Sequence, residues 1–153
     1  MRVTVLGVGA VGGWLAAGLA RAGADVRLCA RGASLAALRA DGLVFSEGER
    51  TERFRLPASD DPATLAGADV VLLGMKGHDV PAARDIIATL AGDGALIVPA
   101  LNGIPWWFTD GLSGPAAGVT LDSVDPGGAL AQAFPARRVV GCVAHVGTRV
   151  EGP

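Results

Sequence analysis

The stretch Met1-Arg-Val-Thr-Val-Leu-Gly-Val-Gly-Ala-Val-Gly12 decides the fold of this chain. Its apolar, β-branched residues up to Leu6 predict a short buried strand. The glycine pattern G-x-G-x-x-G, formed by Gly7, Gly9 and Gly12, follows that strand directly. A strand, a glycine-rich turn and a helix in this order indicate a dinucleotide-binding unit. A glycine-rich turn in some other α/β protein is the alternative, because this chain contains 23 glycines.

Each glycine of the pattern has its own physical task. Gly7 allows the tight turn from strand to helix, Gly9 lets the backbone approach a pyrophosphate, and Gly12 lets the helix pack close to the strand. The unpaired N–H groups at the start of the helix favour an anion. The residues expected to contact the cofactor here are Gly7, Val8, Gly9, Ala10, Val11 and Gly12.

The helix after the glycine pattern is predicted to run from Val11 to Ala22. Its apolar periodicity places one set of residues on the inner face. That set is Val11, Leu15, Gly18 and Leu19.

Composition restricts the classes of protein to which the chain can belong. With 153 residues it suits a single domain, residues 1–153, that buries a real core. Half of the residues are hydrophobic and the mean hydropathy is +0.43. No stretch offers the roughly 18 uninterrupted apolar residues of a spanning helix, so we expect no membrane insertion. A parallel sheet buried on both faces accounts for the high hydropathy.

Charge and cysteine content give two further expectations. The formal net charge is −2 and there is no basic block, so the sequence lacks a nucleic-acid-binding pattern. Cys29 and Cys142 both lie in apolar surroundings without a spacing motif. They indicate reduced thiols and a cytoplasmic protein rather than a disulfide framework.

The rest of the chain alternates strand and helix patterns. This alternation predicts an α/β fold with a doubly wound, mainly parallel sheet of the Rossmann type and helices on both faces. The predicted strands are 25–29, 69–73, 95–98 and 138–145, the predicted helices are 33–40 and 80–91, a hairpin joins 43–45 to 53–56, and 112–136 is predicted to be irregular.

Cofactor choice depends on the residue at the end of the second strand. Sites selective for NAD place an Asp or Glu there to hold the ribose 2′-hydroxyl. This chain has Arg31 at that position and no carboxylate, and Asp25 lies at the wrong end of the strand. A guanidinium can bind a 2′-phosphate through several donors, which favours NADPH. The alternative is a solvated surface arginine.

The whole arrangement resembles the ketopantoate reductase (2-dehydropantoate 2-reductase) family. The resemblance rests on the glycine motif up to Gly12, on Arg31, on Met75-Lys76 after a strand, and on Leu101-Asn102-Gly103 after the next strand. It implies NADPH as cofactor and the reduction of a 2-keto acid to a 2-hydroxy acid, as in the conversion of ketopantoate to pantoate in pantothenate biosynthesis. It covers this chain but only the N-terminal half of a family member.

The resemblance also implies roles for two further residues. Lys76 matches a lysine that lies near the cofactor, and Asn102 matches an asparagine that contacts nicotinamide ribose or substrate. Both are therefore candidate cofactor-binding and substrate-binding residues. The alternatives are an ordinary exposed lysine at position 76 and, at Asn102-Gly103, a turn pair that tolerates positive φ.

Catalytic residues are not expected within this chain. In the family, a second, helical domain supplies a catalytic lysine and a substrate-binding carboxylate, and neither has a counterpart here. The resemblance therefore implies a cofactor-binding half that binds without efficient turnover alone. Its expected partners are a 2-keto acid and either the missing C-terminal domain or a second copy of the chain. A non-enzymatic NADP-binding or sensing module and another Rossmann dehydrogenase of the 3-hydroxyacid type are the alternatives.

Two histidines and an aromatic cluster have less defined roles. His78 is placed to touch the adenine or ribose, or else is a solvated loop residue. His145 is predicted to be a core or edge histidine rather than an acid catalyst. Trp106, Trp107 and Phe108 could line a pocket, but three adjacent aromatics favour an apolar surface against a partner domain.

Overall fold

The computed structural model describes residues 1–152, and its order of elements follows the predicted alternation. Single 3-10 turns lie at Pro62–Leu65, Gly77–Asp79, Pro81–Ala83 and Ala136–Arg138. The strands and helices are β1 (Arg2–Leu6), α1 (Ala10–Arg21), β2 (Asp25–Cys29), α2 (Gly32–Asp41), β3 (Leu43–Glu47), β4 (Arg50–Phe54), β5 (Ala58–Ser59), β6 (Val70–Leu73), α3 (Arg84–Ala91), β7 (Leu96–Pro99) and α4 (Ala129–Ala133).

The main sheet has five parallel strands in the order β5-β2-β1-β6-β7. The chain starts in the middle strand and builds outward on both sides, which confirms the predicted doubly wound architecture. The predicted hairpin is also confirmed, because β3 and β4 pair antiparallel outside the main sheet. The short edge strand β5 was not predicted, since two residues carry no periodicity.

Two apolar cores cover the two faces of the sheet. Alternate residues of β1 point to opposite faces, so Val3 belongs to one core and Leu6 to the other. The first core packs the sheet against α1 and the hairpin. The second packs it against α3 and α4, with Ile87 and Phe134 almost completely buried.

The predicted inner face of α1 is correct only in part, because Val11, Leu15 and Leu19 pack at the side of the first core and not at its centre. The buried residues of this helix are Gly12, Gly13, Ala16 and Ala17. The larger residues Val11, Leu15 and Leu19 are only half-buried, and Gly18 is exposed. Small residues face the sheet because the helix axis lies too close to β1 for longer side chains to fit between them.

The segment after β7 contains more structure than its sequence predicts. Its short helix α4 is capped by the buried carboxylate of Asp125, which accepts hydrogen bonds from the backbone N–H groups of Leu130 (2.7 Å) and Ala131 (3.0 Å). The predicted strand 138–145 is not a regular strand. It contacts β7 through two isolated parallel bridges, Ile97 with Val139 and Ala100 with Cys142.

Three general features of residues 1–152 bear on function. No helix in this part of the chain combines the length and apolar character that crossing a membrane requires. No group of three or more potential metal ligands comes together there either. Cys29 is a buried free thiol, and its pKa is raised by burial and, to a smaller extent, by the negative charge of Asp60.

Candidate cofactor-binding site

The predicted site residues lie along one edge of the sheet. In the register of the parallel strands, Leu6 at the end of β1 aligns with Cys29 and Leu73, and Leu73 aligns with Pro99. The four strands therefore end at the same level. The segments that leave them carry, in spatial order, Arg31, the glycine loop, Lys76 and Asn102. The structure thus brings the four sequence motifs to a single edge, where ligands of doubly wound sheets bind.

Close backbone contacts explain two of the glycines in the pattern. Gly7 has φ +89°, a conformation that favours glycine, and a Cβ there would lie 2.9 Å from the Met75 nitrogen. A Cβ at Gly12 would lie 2.1 Å from the Gly7 carbonyl oxygen. Gly74 packs against the same two glycines, since a Cβ added at this position would lie 2.6 Å from the Gly12 Cα. The turn and packing functions predicted for Gly7 and Gly12 are therefore visible in the structure.

Gly9 differs from its neighbours because a Cβ at this position would meet nothing within 4 Å. It precedes α1 in an extended conformation, and no side chain caps the helix. Within residues 1–152, the backbone N–H groups from Val8 to Gly12 have no hydrogen-bond acceptor. The first turn of α1 also lacks an acidic residue. Open space and free donors at a helix N-terminus fit a pyrophosphate group.

Two cations flank this helix N-terminus. Arg31 and Lys76 are both exposed, and neither forms an ion pair with any described residue. Asp60 follows β5, and its charge acts on Cys29 at the end of β2. It lies 3.8 Å from the Arg39 guanidinium, which offsets that charge. The edge therefore carries an exposed cation without an ion-pair partner among the described residues on each side of an uncapped helix N-terminus, an arrangement that favours an anion.

Asn102 is held by the backbone of a distant segment. Its Nδ2 donates to the Ala144 carbonyl oxygen at 3.2 Å, and its Oδ1 accepts from the Ala144 N–H at 3.1 Å. The residue itself remains exposed. Gly103 follows with φ +103°, so the turn interpretation of the Asn-Gly pair also describes the backbone correctly.

The two histidines and the aromatic cluster agree with their predicted positions only in part. His78 is largely exposed and lies 3.7 Å from the Asp79 carboxylate, as a solvated loop histidine would. His145 is exposed on the segment beside β7. The three residues of the aromatic cluster differ in burial. Trp106 is buried against Phe134 in the core of the domain, Trp107 is half-buried, and Phe108 is exposed. The prediction of a partner-facing surface is therefore wrong for Trp106.

Sequence reasoning missed two residues of this edge. Gly74 was detectable in principle, because a glycine directly after a buried strand next to a glycine loop indicates close backbone approach. Ala144 contributes only main-chain atoms, which carry no sequence signal.

The parallel sheet, the glycine turn into an uncapped helix and the flanking cations define a Rossmann-type dinucleotide-binding domain. Comparison with known proteins assigns it more narrowly. Residues 3–105 match the family described as ketopantoate reductase PanE/ApbA, and the chain belongs to this family. Family members are NADP-dependent oxidoreductases, and the resemblance on which the sequence interpretation relied is confirmed.

Individual relatives agree with this assignment. The whole chain aligns with 47% of the length of the 2-dehydropantoate 2-reductase of Mesorhizobium japonicum, and the two sequences are 41% identical over the aligned residues. A Ralstonia solanacearum MolK2 crystal structure assigned to the ketopantoate reductases is 43% identical, with a TM-score of 0.91 over 99% of this chain and 47% of that one. A PanE/ApbA family ketopantoate reductase from Ralstonia eutropha JMP134 is 27% identical, with a TM-score of 0.71 over 100% of this chain and 44% of that one. The chain thus spans about half the length of these relatives and is homologous to the N-terminal half of a 2-dehydropantoate 2-reductase.

Proposed function

We propose that this chain is the NADPH-binding half of a 2-keto acid reductase that converts ketopantoate to pantoate in cytoplasmic pantothenate biosynthesis. The observation that carries the cofactor assignment is the pair of free groups at the sheet edge. The backbone donors from Val8 to Gly12 have no acceptor among the described residues, and Arg31 beside them has no carboxylate partner. Both are suited to phosphate, one to the pyrophosphate and the other to the 2′-phosphate.

Each residue then has a defined task in binding. Gly7 and Gly12 shape the loop, Gly9 leaves room for the pyrophosphate, and Val8, Ala10 and Val11 complete the backbone donors. Arg31 distinguishes NADPH from NADH through the 2′-phosphate. Lys76 and Asn102, which follow the strands β6 and β7 on the other side of the loop, orient the nicotinamide ribose and the polar 2-keto acid.

The chemistry divides between this chain and the part of the relatives that it does not match. NADPH supplies the hydride when bound. Reducing a ketone also requires a proton donor near the carbonyl oxygen, and the one lysine of this sequence, Lys76, is assigned here to binding. We therefore expect cofactor binding without efficient turnover from this chain alone. The proton donor and the main substrate contacts come from a helical domain or a partner copy.

Calorimetric titration of the 153-residue chain with NADPH and with NADH tests the cofactor assignment. We expect a clear preference for NADPH, because only NADPH carries the phosphate that Arg31 would bind. The variant Arg31→Asp should weaken NADPH binding by about 30-fold or more, the value of one or two charge-assisted hydrogen bonds, and NADH binding by less than about threefold.

A matched control is Arg137→Asp, which makes the same charge change near the opposite end of β7. This variant should bind both cofactors like the unmodified chain. Equal losses for NADPH and NADH in Arg31→Asp would refute the 2′-phosphate contact. Absence of binding to either cofactor by the folded chain would refute the proposed function.

A further inference from the structure

The two hydrogen bonds between Asn102 and Ala144 continue the pairing of β7 with the segment beside it. The isolated bridges join Ile97 to Val139 and Ala100 to Cys142, each 42 positions apart. Asn102 and Ala144 are also 42 positions apart. The carboxamide therefore occupies the next position of a parallel ladder and takes the place of two main-chain groups, the Leu101 C=O and the Gly103 N–H, that would pair with Ala144 in a regular ladder.

The backbone itself cannot make this third pairing in the same way. At Gly103 it turns away from the ladder with φ +103°. The primary amide of Asn102 has an N–H on the same side as its oxygen, unlike a trans peptide, so one edge of the side chain satisfies both main-chain groups of Ala144. Gly141 lies against the Trp107 ring at the preceding turn of this segment, where an added Cβ would be 3.9 Å from Cζ2. The segment thus has a fixed position next to Asn102.

The ladder contacts use only half of the hydrogen-bonding capacity of the carboxamide. A primary amide has two N–H donors and two acceptor lone pairs. Ala144 takes one donor and one lone pair and, by doing so, decides which side of the group carries nitrogen and which carries oxygen. One N–H and one lone pair remain available on an exposed side chain.

We propose that Ala144 is a positioning residue whose main-chain peptide fixes the orientation of the Asn102 carboxamide for ligand binding. The free N–H and the free lone pair then point in two fixed directions, on opposite sides of the carboxamide, where they suit one group that accepts and another that donates, such as the two hydroxyls of the nicotinamide ribose. This inference rests on the proposed function, because it takes the ribose as ligand of Asn102. It assigns a role to a segment that holds Asn102 by hydrogen bonds to its main chain.

The backbone contact can be removed selectively with Ala144→Pro, which deletes the N–H that donates to Asn102. The matched control Ala144→Ser keeps that N–H. We expect about tenfold weaker NADPH binding for the proline variant, the usual value of one hydrogen bond, and less than about twofold for the serine variant. Asn102→Ala should weaken binding by a similar or larger factor.

The double variant Asn102→Ala/Ala144→Pro separates positioning from a merely structural effect. If Ala144 acts through Asn102, the proline adds less than about twofold to the loss caused by the alanine. Equal proline losses with and without Asn102 would overturn the inference. So would unchanged NADPH affinity in Asn102→Ala, while the Arg31 titration shows independently whether the proposed function stands.

Hydrogen exchange of the Ala144 amide provides a readout that does not need the cofactor. We expect slow exchange in the unmodified chain and at least about tenfold faster exchange in Asn102→Ala, since one hydrogen bond to the side chain is lost. Fast exchange in the unmodified chain would overturn the inference even if Ala144→Pro fails to fold.

Discussion

The two ends of the parallel sheet differ in whether their charged side chains form ion pairs. At the amino end, Arg2 donates from Nε to Asp25 at 3.0 Å, from its backbone N–H to Asp69 at 2.7 Å, and from Nη1 to the Gly67 carbonyl at 3.2 Å. Arg27 lies 3.6 Å from the other oxygen of Asp25. At the carboxyl end, Arg31 and Lys76 form no such pair with any residue from 1 to 152.

This difference separates groups that serve the fold from groups that serve a ligand. A charge cluster that is already neutralised gains little from an incoming anion, and its main effect is on stability. Cations and helix N–H groups without partners are stabilised when an anion arrives. The same sheet therefore carries one end whose charges are paired internally and another end whose free donors, in the proposed function, would be paired by a cofactor.

The largest effect is expected from Gly12→Ala, which tests whether the glycine loop at the carboxyl end is also needed for the stability of the fold. An added Cβ would lie 2.1 Å from the Gly7 carbonyl oxygen, so the helix must move away from β1. We expect the free energy of unfolding in urea to fall by about 3 kcal/mol. The control Gly18→Ala lies in the same helix but faces open space, and it should raise the free energy of unfolding by about 0.5–1 kcal/mol. Similar values for both variants would show that the close approach of α1 is unimportant.

Gly9→Val should separate binding from folding at the same loop. Nothing lies within 4 Å of the position and its backbone is extended, so the fold accommodates the side chain. The side chain would occupy the space assigned to the pyrophosphate. We expect affinity for both NADPH and NADH to fall by about 100-fold, the value of two charge-assisted hydrogen bonds, with an unchanged unfolding midpoint. Calorimetry checks the first expectation and urea unfolding the second, and retained affinity would contradict the role of the loop.

The smallest effect is expected at the amino end, from Asp25→Asn. The hydrogen bond from Arg2 holds the pKa of the Asp25 carboxyl below its usual range. A depressed pKa contributes stability above the unfolded value of about 3.9, and this contribution is lost as the pH falls through the folded value. Asn should therefore lower Tm slightly at neutral pH and weaken its dependence on pH below about 4. NADPH affinity should not change, and a change would show that the two ends are coupled.

Most of the fold could be predicted because its strands are buried on both faces and read as continuous apolar runs. The failures have specific physical causes. The inner face of α1 was assigned to its large residues, whereas close packing on β1 selects Gly12 and Ala16. The short helix α4 depends on Asp125, a carboxylate whose burial appears only when the chain is folded.

Prediction of the candidate site had a similar limit. Motif residues such as Gly7 and Arg31 could be placed because parallel strands end together at one edge. The partner of Asn102 could not, since Ala144 contributes only its peptide group across 42 positions of sequence.

The contact among Gly7, Gly12 and Gly74 has a consequence for how the domain responds to its ligand. Gly74 donates its N–H to the Leu6 carbonyl at 2.8 Å, so the loop is shaped only when β6 has docked beside β1. The free backbone donors of the loop, which the proposed function assigns to phosphate, therefore have this arrangement in the native state alone. A ligand held there adds to the free energy of unfolding of the entire sheet, by about 1.4 kcal/mol for each tenfold excess over its Kd. Cofactor concentration would thus act on the cellular lifetime of the protein as well as on its occupancy.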